Sequence, residues 1–366
     1  MNYVKERLGR LSTISLIIVL VIALMAAMVA GISIGNYYIE FWDVWNIVVD
    51  NIVYKLSFGN IVLGDPDYWS EGVKYDIVMS IRSPRVVMAA VIGACLAMSG
   101  VVMQATVQNP LADPYILGMS SGASLGATVS IAIGLTGFLG ATLGNYGIAT
   151  MAFIGSFGSA LFVLGLSSAG GRTTSVKLVL SGTIVASLVG AISNLIVVFF
   201  ADKDEMQEIS FWLMGSFAGT TWSKILIPLA AFIICSVVFT TQIRHLNTML
   251  TGDDVATTLG IDLSKKRRLF VLFTSLLTGT AVCFCGMIGF VGLIIPHIVR
   301  GLTGNNHWKL LPVACVVGAL FLVVCDILCR VLVPGNELPI GILTAFCGAP
   351  VFAYILIKRT YSFGGN

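Results

Sequence analysis

The sequence predicts an all-α fold, a polytopic integral membrane protein of about ten transmembrane helices, and two observations indicate it. Of the 366 residues, 57% are hydrophobic and only 11% are charged, whereas a soluble domain carries about 25% charged residues. The apolar residues also come in unbroken runs of roughly 20, enough for a helix to cross a hydrocarbon core about 30 Å thick. A transmembrane β-barrel would instead show short segments that alternate between apolar and polar residues.

Ten apolar runs, separated by polar residues, glycine or proline, define the predicted spans. They cover roughly 12–32, 86–107, 115–135, 148–168, 178–201, 222–242, 269–288, 291–301, 310–332 and 338–357. The first run follows Lys5, Arg7 and Arg10, as a signal peptide would, but it is too long and its cleavage site is weak. We therefore interpret it as a retained span. No Pro/Ser-rich linker interrupts the chain, so residues 1–366 are predicted to form a single transmembrane domain.

The distribution of basic residues predicts the orientation. If the amino terminus is cytoplasmic, 14 of the 21 Lys and Arg residues fall on the inner side, and both termini lie in the cytoplasm. These 14 are at positions 5, 7, 10, 172, 177, 244, 265, 266, 267, 268, 300, 309, 358 and 359. Most acidic residues fall in the two largest outer loops. The amphipathic stretch 41–53 is expected to lie on the outer membrane surface, and a second outer helix is expected at 205–217.

The longest inner loop, 244–268, differs from the others. It contains the stretch 251–260, which starts like a helix cap, continues as a short amphipathic helix and stops at a glycine. A small helix outside the bilayer needs a partner for its apolar side. A solvated loop is the alternative interpretation.

Three motifs stand at long separations along the chain. The first consists of Asn109, Pro110, Leu111, Ala112, Asp113 and Pro114 and precedes a run of small residues at 117–126. Its prolines cannot sit inside a helix, so it is a re-entry point between helices, or else a simple turn beside a packing face. The second is 289–300, with Pro296 and His297. The third is 337–350, with Glu337, Pro339 and Gly341.

Two further stretches belong with these motifs: Arg82-Ser-Pro-Arg85 and 93–104. Together they resemble the permease family of iron-siderophore, haem and cobalamin ABC importers. The resemblance runs in one consistent order from about residue 82 to 358. The first 80 residues match only in general pattern. The resemblance implies a homodimer of ten-helix subunits in the inner cell membrane, with two ATP-binding cassette subunits on the cytoplasmic side and a substrate-binding protein outside. The chain has no Gly-x-x-x-x-Gly-Lys-Ser/Thr phosphate loop. ATP and Mg²⁺ are therefore expected in the partner ATPase, no cofactor is expected in this chain, and the chain itself is not expected to be an enzyme.

The resemblance also implies roles for single residues. The segment that docks on the ATPase would consist of Asp253, Asp254, Ala256, Thr257, Thr258, Leu259 and Gly260. Arg82, Arg85 and Arg330 would meet acidic residues of the binding protein at the outer face, unless they are only membrane anchors whose charged ends reach the interface. Asp326, four residues before Arg330, is placed to pair with it. Thr174 and Ser175 would narrow the pathway near the cytoplasm, although ordinary turn chemistry explains the same two residues.

Other functions find less support in the sequence. A secondary transporter or channel driven by an ion gradient usually carries ionisable residues within its spans, and Asp326 is the one candidate. A membrane enzyme would need paired catalytic groups. Cys325 and Cys329 share a helix face but lack further ligands for a metal, and a net charge of +3 does not indicate nucleic acid. Among substrates, an iron-siderophore is the first expectation, followed by cobalamin or haem, with oxyanions last.

Overall fold

The computed structural model describes residues 2–35, 37, 39–57, 72–134, 140–169, 171–333 and 335–358. The regular structure in this part of the chain is helical throughout. In chain order the helices are α1 (Asn2–Ser33), α2 (Phe41–Leu56), α3 (Val73–Thr106), α4 (Met119–Ala132), α5 (Gly140–Ser168), α6 (Ser175–Phe200), α7 (Lys203–Met214), α8 (Trp222–Thr241), α9 (Ile243–Met249), α10 (Asp253–Thr258), α11 (Leu263–Cys285), α12 (Val291–Thr303), α13 (His307–Val331) and α14 (Ile340–Lys358).

Ten of these helices overlap the ten predicted apolar runs, with ends that differ in most cases. In the described residues, seven are long and apolar enough to cross a membrane: α1, α3, α5, α6, α8, α11 and α13. The other three, α4, α12 and α14, are apolar but shorter. The third predicted span starts at Met119 rather than 115, because Pro114–Leu117 form a 3-10 turn that ends at Gly118 in the left-handed region.

Helix α3 lies at the centre of the bundle and packs against α1, α8, α11, α12 and α13. Its first residues, Val73–Tyr75, are α-helical, and a π-helical segment follows at Asp76–Arg82. We name the two ends of the bundle after two arginines. The Arg85 end holds the start of α3, the end of α13 and the start of α14. The Arg267 end holds the end of α3, the start of α6 and the segment from α9 to α11.

Glycines let the central helices touch through their backbones. A Cβ atom on Gly100 of α3 would lie 1.9 Å from the carbonyl oxygen of Gly292 in α12. A Cβ on Gly93 would lie 2.2 Å from the carbonyl oxygen of Gly318 in α13. No side chain fits at these crossings, so dispersion contacts between close backbones hold the helices together, as expected where lipid removes the hydrophobic drive for helix association.

The two helices predicted at the outer surface, 41–53 and 205–217, are both present. Helix α2 buries Val44 and Ile47 while Trp42 and Trp45 stay exposed, the two-sided character expected of an interfacial helix. Helix α7 starts two residues before the predicted 205–217, because Asp202 and Glu205 form a capping box. It ends three residues earlier than predicted, where Gly215 adopts a φ of 74°.

Candidate functional site

The predicted loop helix at the Arg267 end is α10. It spans Asp253–Thr258 rather than the full predicted segment, and Gly260 follows at a φ of 83°, the glycine stop that the sequence indicates. Ala256 is buried, whereas Leu259 is 67% exposed. The Thr257 and Thr258 hydroxyls donate to the carbonyls of Asp253 and Asp254 within α10. The helix therefore presents an exposed apolar edge at the tip of the loop.

The first residue of α10 is held from two sides. Arg267 Nη2 donates to both carboxylate oxygens of Asp253, over 2.7 and 2.9 Å. Gln108 Nε2 donates to Asp253 Oδ1 over 2.8 Å and to the Met249 carbonyl over 2.7 Å. Gln108 has a φ of 53°, which is unusual for a residue other than glycine. Backbone strain of this kind is kept where the surroundings require it.

Arg267 is a functional candidate that the sequence reasoning missed. Its side chain is only 1% exposed. Besides Asp253, it donates to the Thr106 carbonyl, the Thr173 carbonyl and the Ser175 hydroxyl. It stands in a run of four basic residues that looks like a solvated cluster. The available signal was helical periodicity, since Leu263, Arg267, Phe270 and Thr274 share the buried face of α11.

The two predicted gate residues lie at the start of α6. Thr174 is its N-cap, and the Thr174 hydroxyl accepts a hydrogen bond from the Lys177 backbone N–H over 3.3 Å. This is the ordinary turn chemistry that we kept as the alternative. Ser175 instead accepts a bond from Arg267. The two neighbours thus play different parts: Thr174 shapes the helix start, and Ser175 connects it to α11.

The first motif forms the turn between α3 and α4. Asn109 Oδ1 accepts from Leu111 N over 2.9 Å, and Asp113 Oδ1 accepts from Tyr115 N over 2.8 Å. Both are local side-chain bonds of the kind that stabilise turns. Asn109 is exposed and Pro110 is half-buried, while Ala112 and Pro114 are buried.

The same turn meets the second motif. Tyr115 Oη donates to the Ile288 carbonyl over 3.2 Å, and a Cβ on Gly292 would lie 2.6 Å from Pro114 Cδ. The re-entry segment after α3 and the break before α12 are therefore one packed unit. In α12, Pro296 is buried and His297 is half-buried. Phe290, which precedes α12, has a φ of 68°.

Two carboxyl groups near the Arg267 end have shifted pKa values. Burial raises the pKa of Asp113 from 3.8 to about 6, and the hydrogen bond from Tyr115 N opposes part of that rise. Asp262, the exposed N-cap of α11, behaves in the opposite way. Hydrogen bonds from the backbone and side chain of Lys265 lower its pKa.

The three arginines predicted to dock the binding protein are buried in the described structure. Arg82, Arg85 and Arg330 are 6%, 6% and 5% exposed. Arg82 donates to the carbonyls of Ile32, Ser33 and Tyr37, and Arg330 donates to those of Gly31 and Ile34. Carbonyls at the carboxyl end of a helix lack partners within it. The two guanidinium groups therefore cap α1 rather than project into solvent.

The third arginine belongs to an ion-pair network. Arg85 pairs with Asp326 over 2.8 Å and with Glu337 over 2.8 Å, and Asp326 also pairs with Arg330 over 3.0 Å, as the sequence predicted. Glu337 is the exposed member, with 41% of its side chain accessible. Asp326, the one intramembrane acid that could favour an ion-driven transporter, is thus engaged by two arginines.

The remaining third-motif residues start α14. The Pro339 carbonyl accepts from Ile342 N over 3.2 Å. A Cβ on Gly341 would lie 2.4 Å from the Met214 carbonyl oxygen, so α14 begins in direct contact with the end of α7. Together these residues fix how the last span enters the bundle.

A bundle of apolar helices, seven of them in the described residues long enough to cross a bilayer, defines the class: a multi-pass membrane protein. The profile of the FecCD transport family matches residues 19–358, and the chain belongs to that family. Family members are permease subunits of ABC importers and are not themselves catalytic.

Individual relatives agree with this assignment. An uncharacterised ABC transporter permease protein of Bacillus subtilis, YvrB, is 38% identical over 332 residues, 90% of each chain. The cobalamin import system permease protein BtuC of Halobacterium salinarum is 39% identical over 77% of this chain and 74% of its own. A solved chain, assigned to the metal-chelate type of ABC transporter in an inward-facing conformation, superposes with a TM-score of 0.78 at 32% identity. That superposition covers 94% of this chain and 99% of the other.

Proposed function

We propose that this chain is the permease of an importer that moves a metal chelate into the cytoplasm, with an iron-siderophore as the first candidate and cobalamin or haem next. A separate ATPase subunit, which binds ATP and Mg²⁺, drives it. The proposal places the chain in the inner cell membrane with both termini in the cytoplasm, so that the Arg267 end is the cytoplasmic one. The asymmetry of Lys and Arg along the sequence supports this orientation.

The observation that carries the proposal is the exposed edge of α10. Val255 and Leu259 are apolar and exposed, and they lie in the loop between α8 and α11 rather than in a spanning helix. Beside them lies an open cavity of about 720 Å³, whose lining residues are mostly polar: Gln108, Asn247, Leu250, Thr251, Gly252, Asn305 and Asn306. Protein interfaces combine an apolar centre with a polar rim. Val255 and Leu259 would form such a centre, and the polar residues of the cavity would form part of such a rim. The proposed occupant is the ATPase subunit.

Two further partners belong to the proposal. A stripe on α6 exposes Val176, Leu180, Ile184, Leu188, Ile192 and Leu195 at helical spacing. This stripe supports a homodimer in which α6 lines the contact or the pathway. At the Arg85 end, the substrate-binding protein would dock on the surface around Glu337. Arg82, Arg85 and Arg330 would then act by placing α1, α13 and Glu337, with little direct contact of their own.

Reconstitution tests the proposal. The chain is placed in proteoliposomes with and without its ATPase subunit and binding protein, and uptake of a ferric siderophore, cobalamin and haem is measured with and without ATP. We expect uptake of one of the three with the full set and ATP, and neither hydrolysis nor uptake by the chain alone. Uptake that follows an imposed proton or sodium gradient without ATP would establish the ion-driven transporter instead.

A further inference from the structure

We propose that Arg267 is the positioning residue that transmits movement of α10 to the start of α6. This inference rests on the proposed function, in which α10 is the ATPase contact, and on the role that the resemblance implies for Thr174 and Ser175, which would narrow the pathway at the start of α6. Arg267 bonds to both: to the Asp253 carboxylate at the start of α10, and to the Thr173 carbonyl and Ser175 hydroxyl at the start of α6. Residues from three separate parts of the sequence meet on this one side chain.

The geometry uses the whole guanidinium group. Nη2 lies 2.7 Å from Asp253 Oδ1 and 2.8 Å from Ser175 Oγ, Nη1 lies 3.3 Å from the Thr173 oxygen, and Nε lies 3.2 Å from the Thr106 oxygen. The guanidinium is planar and its donors have fixed directions. A displacement of Asp253 therefore has two possible results. Either the Arg267 guanidinium group moves together with Asp253 and pulls on the start of α6 through its bonds there, or the ion pair between Arg267 and Asp253 breaks.

Burial makes the second outcome costly. Arg267 is 1% exposed whereas the Asp253 side chain is 37% exposed; water therefore reaches the carboxylate but hardly the guanidinium group, and loss of the carboxylate partner is unfavourable for the buried cation. Gln108 adds to the rigidity, since it ties Asp253 to the end of α3 in a strained backbone conformation. The start of α10 is thus a stiff attachment point, while its exposed edge at Leu259 is free to bind a partner.

The neighbouring residue supplies a matched control. Arg268 has the same charge and lies on the same helix, but it is exposed. If the positive charge of the basic run were what matters, Arg267→Gln and Arg268→Gln would have similar effects. If the bonds to Asp253 and Ser175 matter, only Arg267→Gln should have an effect.

The experiment uses the complete importer in proteoliposomes with the chelate that the wild type transports. Three quantities are measured: ATPase co-purification, ATP hydrolysis, and substrate moved per ATP hydrolysed. For Arg267→Gln we expect co-purification and hydrolysis within about twofold of wild type but about a tenfold lower transport per ATP, in the range of coupling energies for residues that share a partner. Arg268→Gln should match the wild type. Normal transport per ATP in Arg267→Gln, or an equal loss in Arg268→Gln, overturns the proposal.

A second set of variants covers the case in which Arg267→Gln does not fold. Asp253→Asn removes the negative charge and one of the two bonds between Arg267 and residue 253, and Ser175→Ala removes the serine bond; both leave the Arg267 side chain in place. Because both act through Arg267, the double variant should lose little more transport per ATP than the worse single variant. Losses that multiply would show that the two sites act independently, and the proposal would be wrong. If the proposed function itself were wrong, the wild-type permease with its ATPase subunit and binding protein would show no ATP-dependent uptake. That result is distinct from a wrong role for Arg267, which would appear only in the variants.

Discussion

Arg85 and Asp326 form a buried ion pair between α3 and α13: Arg85 Nε donates to Asp326 Oδ1 over 2.8 Å, and the two side chains are 8% and 1% exposed. The pair joins residues 241 positions apart in the sequence. Because Asp326 also pairs with Arg330, one carboxylate serves two buried cations, and the network is most sensitive at that position.

Asp326→Ala should therefore destabilise the protein by about 3–5 kcal/mol, the cost of leaving buried charges without their partner. Glu337→Gln removes the exposed partner of Arg85 and should cost at most about 1 kcal/mol. Thermal unfolding of the detergent-purified variants measures both. An equal loss of stability in the two variants would contradict the assignment of Asp326 as the centre of the network.

Gly100→Ala tests the contact between α3 and α12. The new methyl group would meet the Gly292 backbone at 1.9 Å, so the helices must separate, and overpacking of this kind costs about 1–3 kcal/mol or more. Gly158→Ala is the matched control, because a Cβ there meets nothing within 4 Å. Because alanine favours a helix more than glycine does, Gly158→Ala in α5 should leave the stability unchanged or raise it by up to about 1 kcal/mol. The unfolding midpoints of the two variants are measured and compared. Equal midpoints would mean that α12 does not cross α3 at Gly100.

Leu259→Asp tests the ATPase contact. A charge in an apolar interface centre should weaken association by about 2 kcal/mol or more, roughly 30-fold. Leu56→Asp, at the end of α2 and 76% exposed, makes the same change far from α10. Co-purification of the ATPase subunit is measured for both at equal permease amounts. A normal yield with Leu259→Asp would place the ATPase contact elsewhere.

Asp113→Asn tests the turn between α3 and α4. The folded-state pKa of about 6 lies above the ordinary 3.8, so the folded chain binds this proton more tightly than the unfolded chain. Its contribution to stability is therefore greatest below about pH 4 and falls as the pH rises to about 6. The charged form costs up to about 3 kcal/mol above that range, at 1.36 kcal/mol per pKa unit.

The asparagine keeps the turn bond and removes the charge. We expect Asp113→Asn to raise the unfolding midpoint at pH 7.5, and to stabilise the fold by only about a third as much at pH 4.5, where the folded carboxyl is protonated but the unfolded one is already mostly ionised. Asp262→Asn is the control with the opposite sign. Because the pKa of Asp262 is lowered in the fold, its carboxylate stabilises the fold at pH values above the ordinary pKa of 3.8. Removing that carboxylate should therefore lower the unfolding midpoint at pH 7.5. If Asp113→Asn and the wild type had the same unfolding midpoint at pH 7.5, the burial of the Asp113 carboxyl would be contradicted.

The spans and the two surface helices were predictable because their signals are local. An apolar run of about 20 residues, a capping box such as Asp202 with Glu205, and a glycine stop such as Gly260 depend on neighbours within one or two turns. The predicted pairing of Asp326 with Arg330 belongs to the same class, since i and i+4 share a helix face. These features needed no knowledge of the rest of the chain.

The arginines show where local reasoning ends. Arg82 and Arg330 stand at span ends, where a sequence suggests exposed anchors, yet both are buried because the carboxyl end of α1 supplies carbonyls to them. Arg267 and Arg268 are adjacent and chemically identical, yet one is buried and the other exposed. By itself the sequence determined the helices, the breaks between them and the family, since those follow from spacing and motif. Only the tertiary structure decided which charges are buried and what they bind, because burial depends on carbonyls and carboxylates contributed by helices up to about 300 positions away.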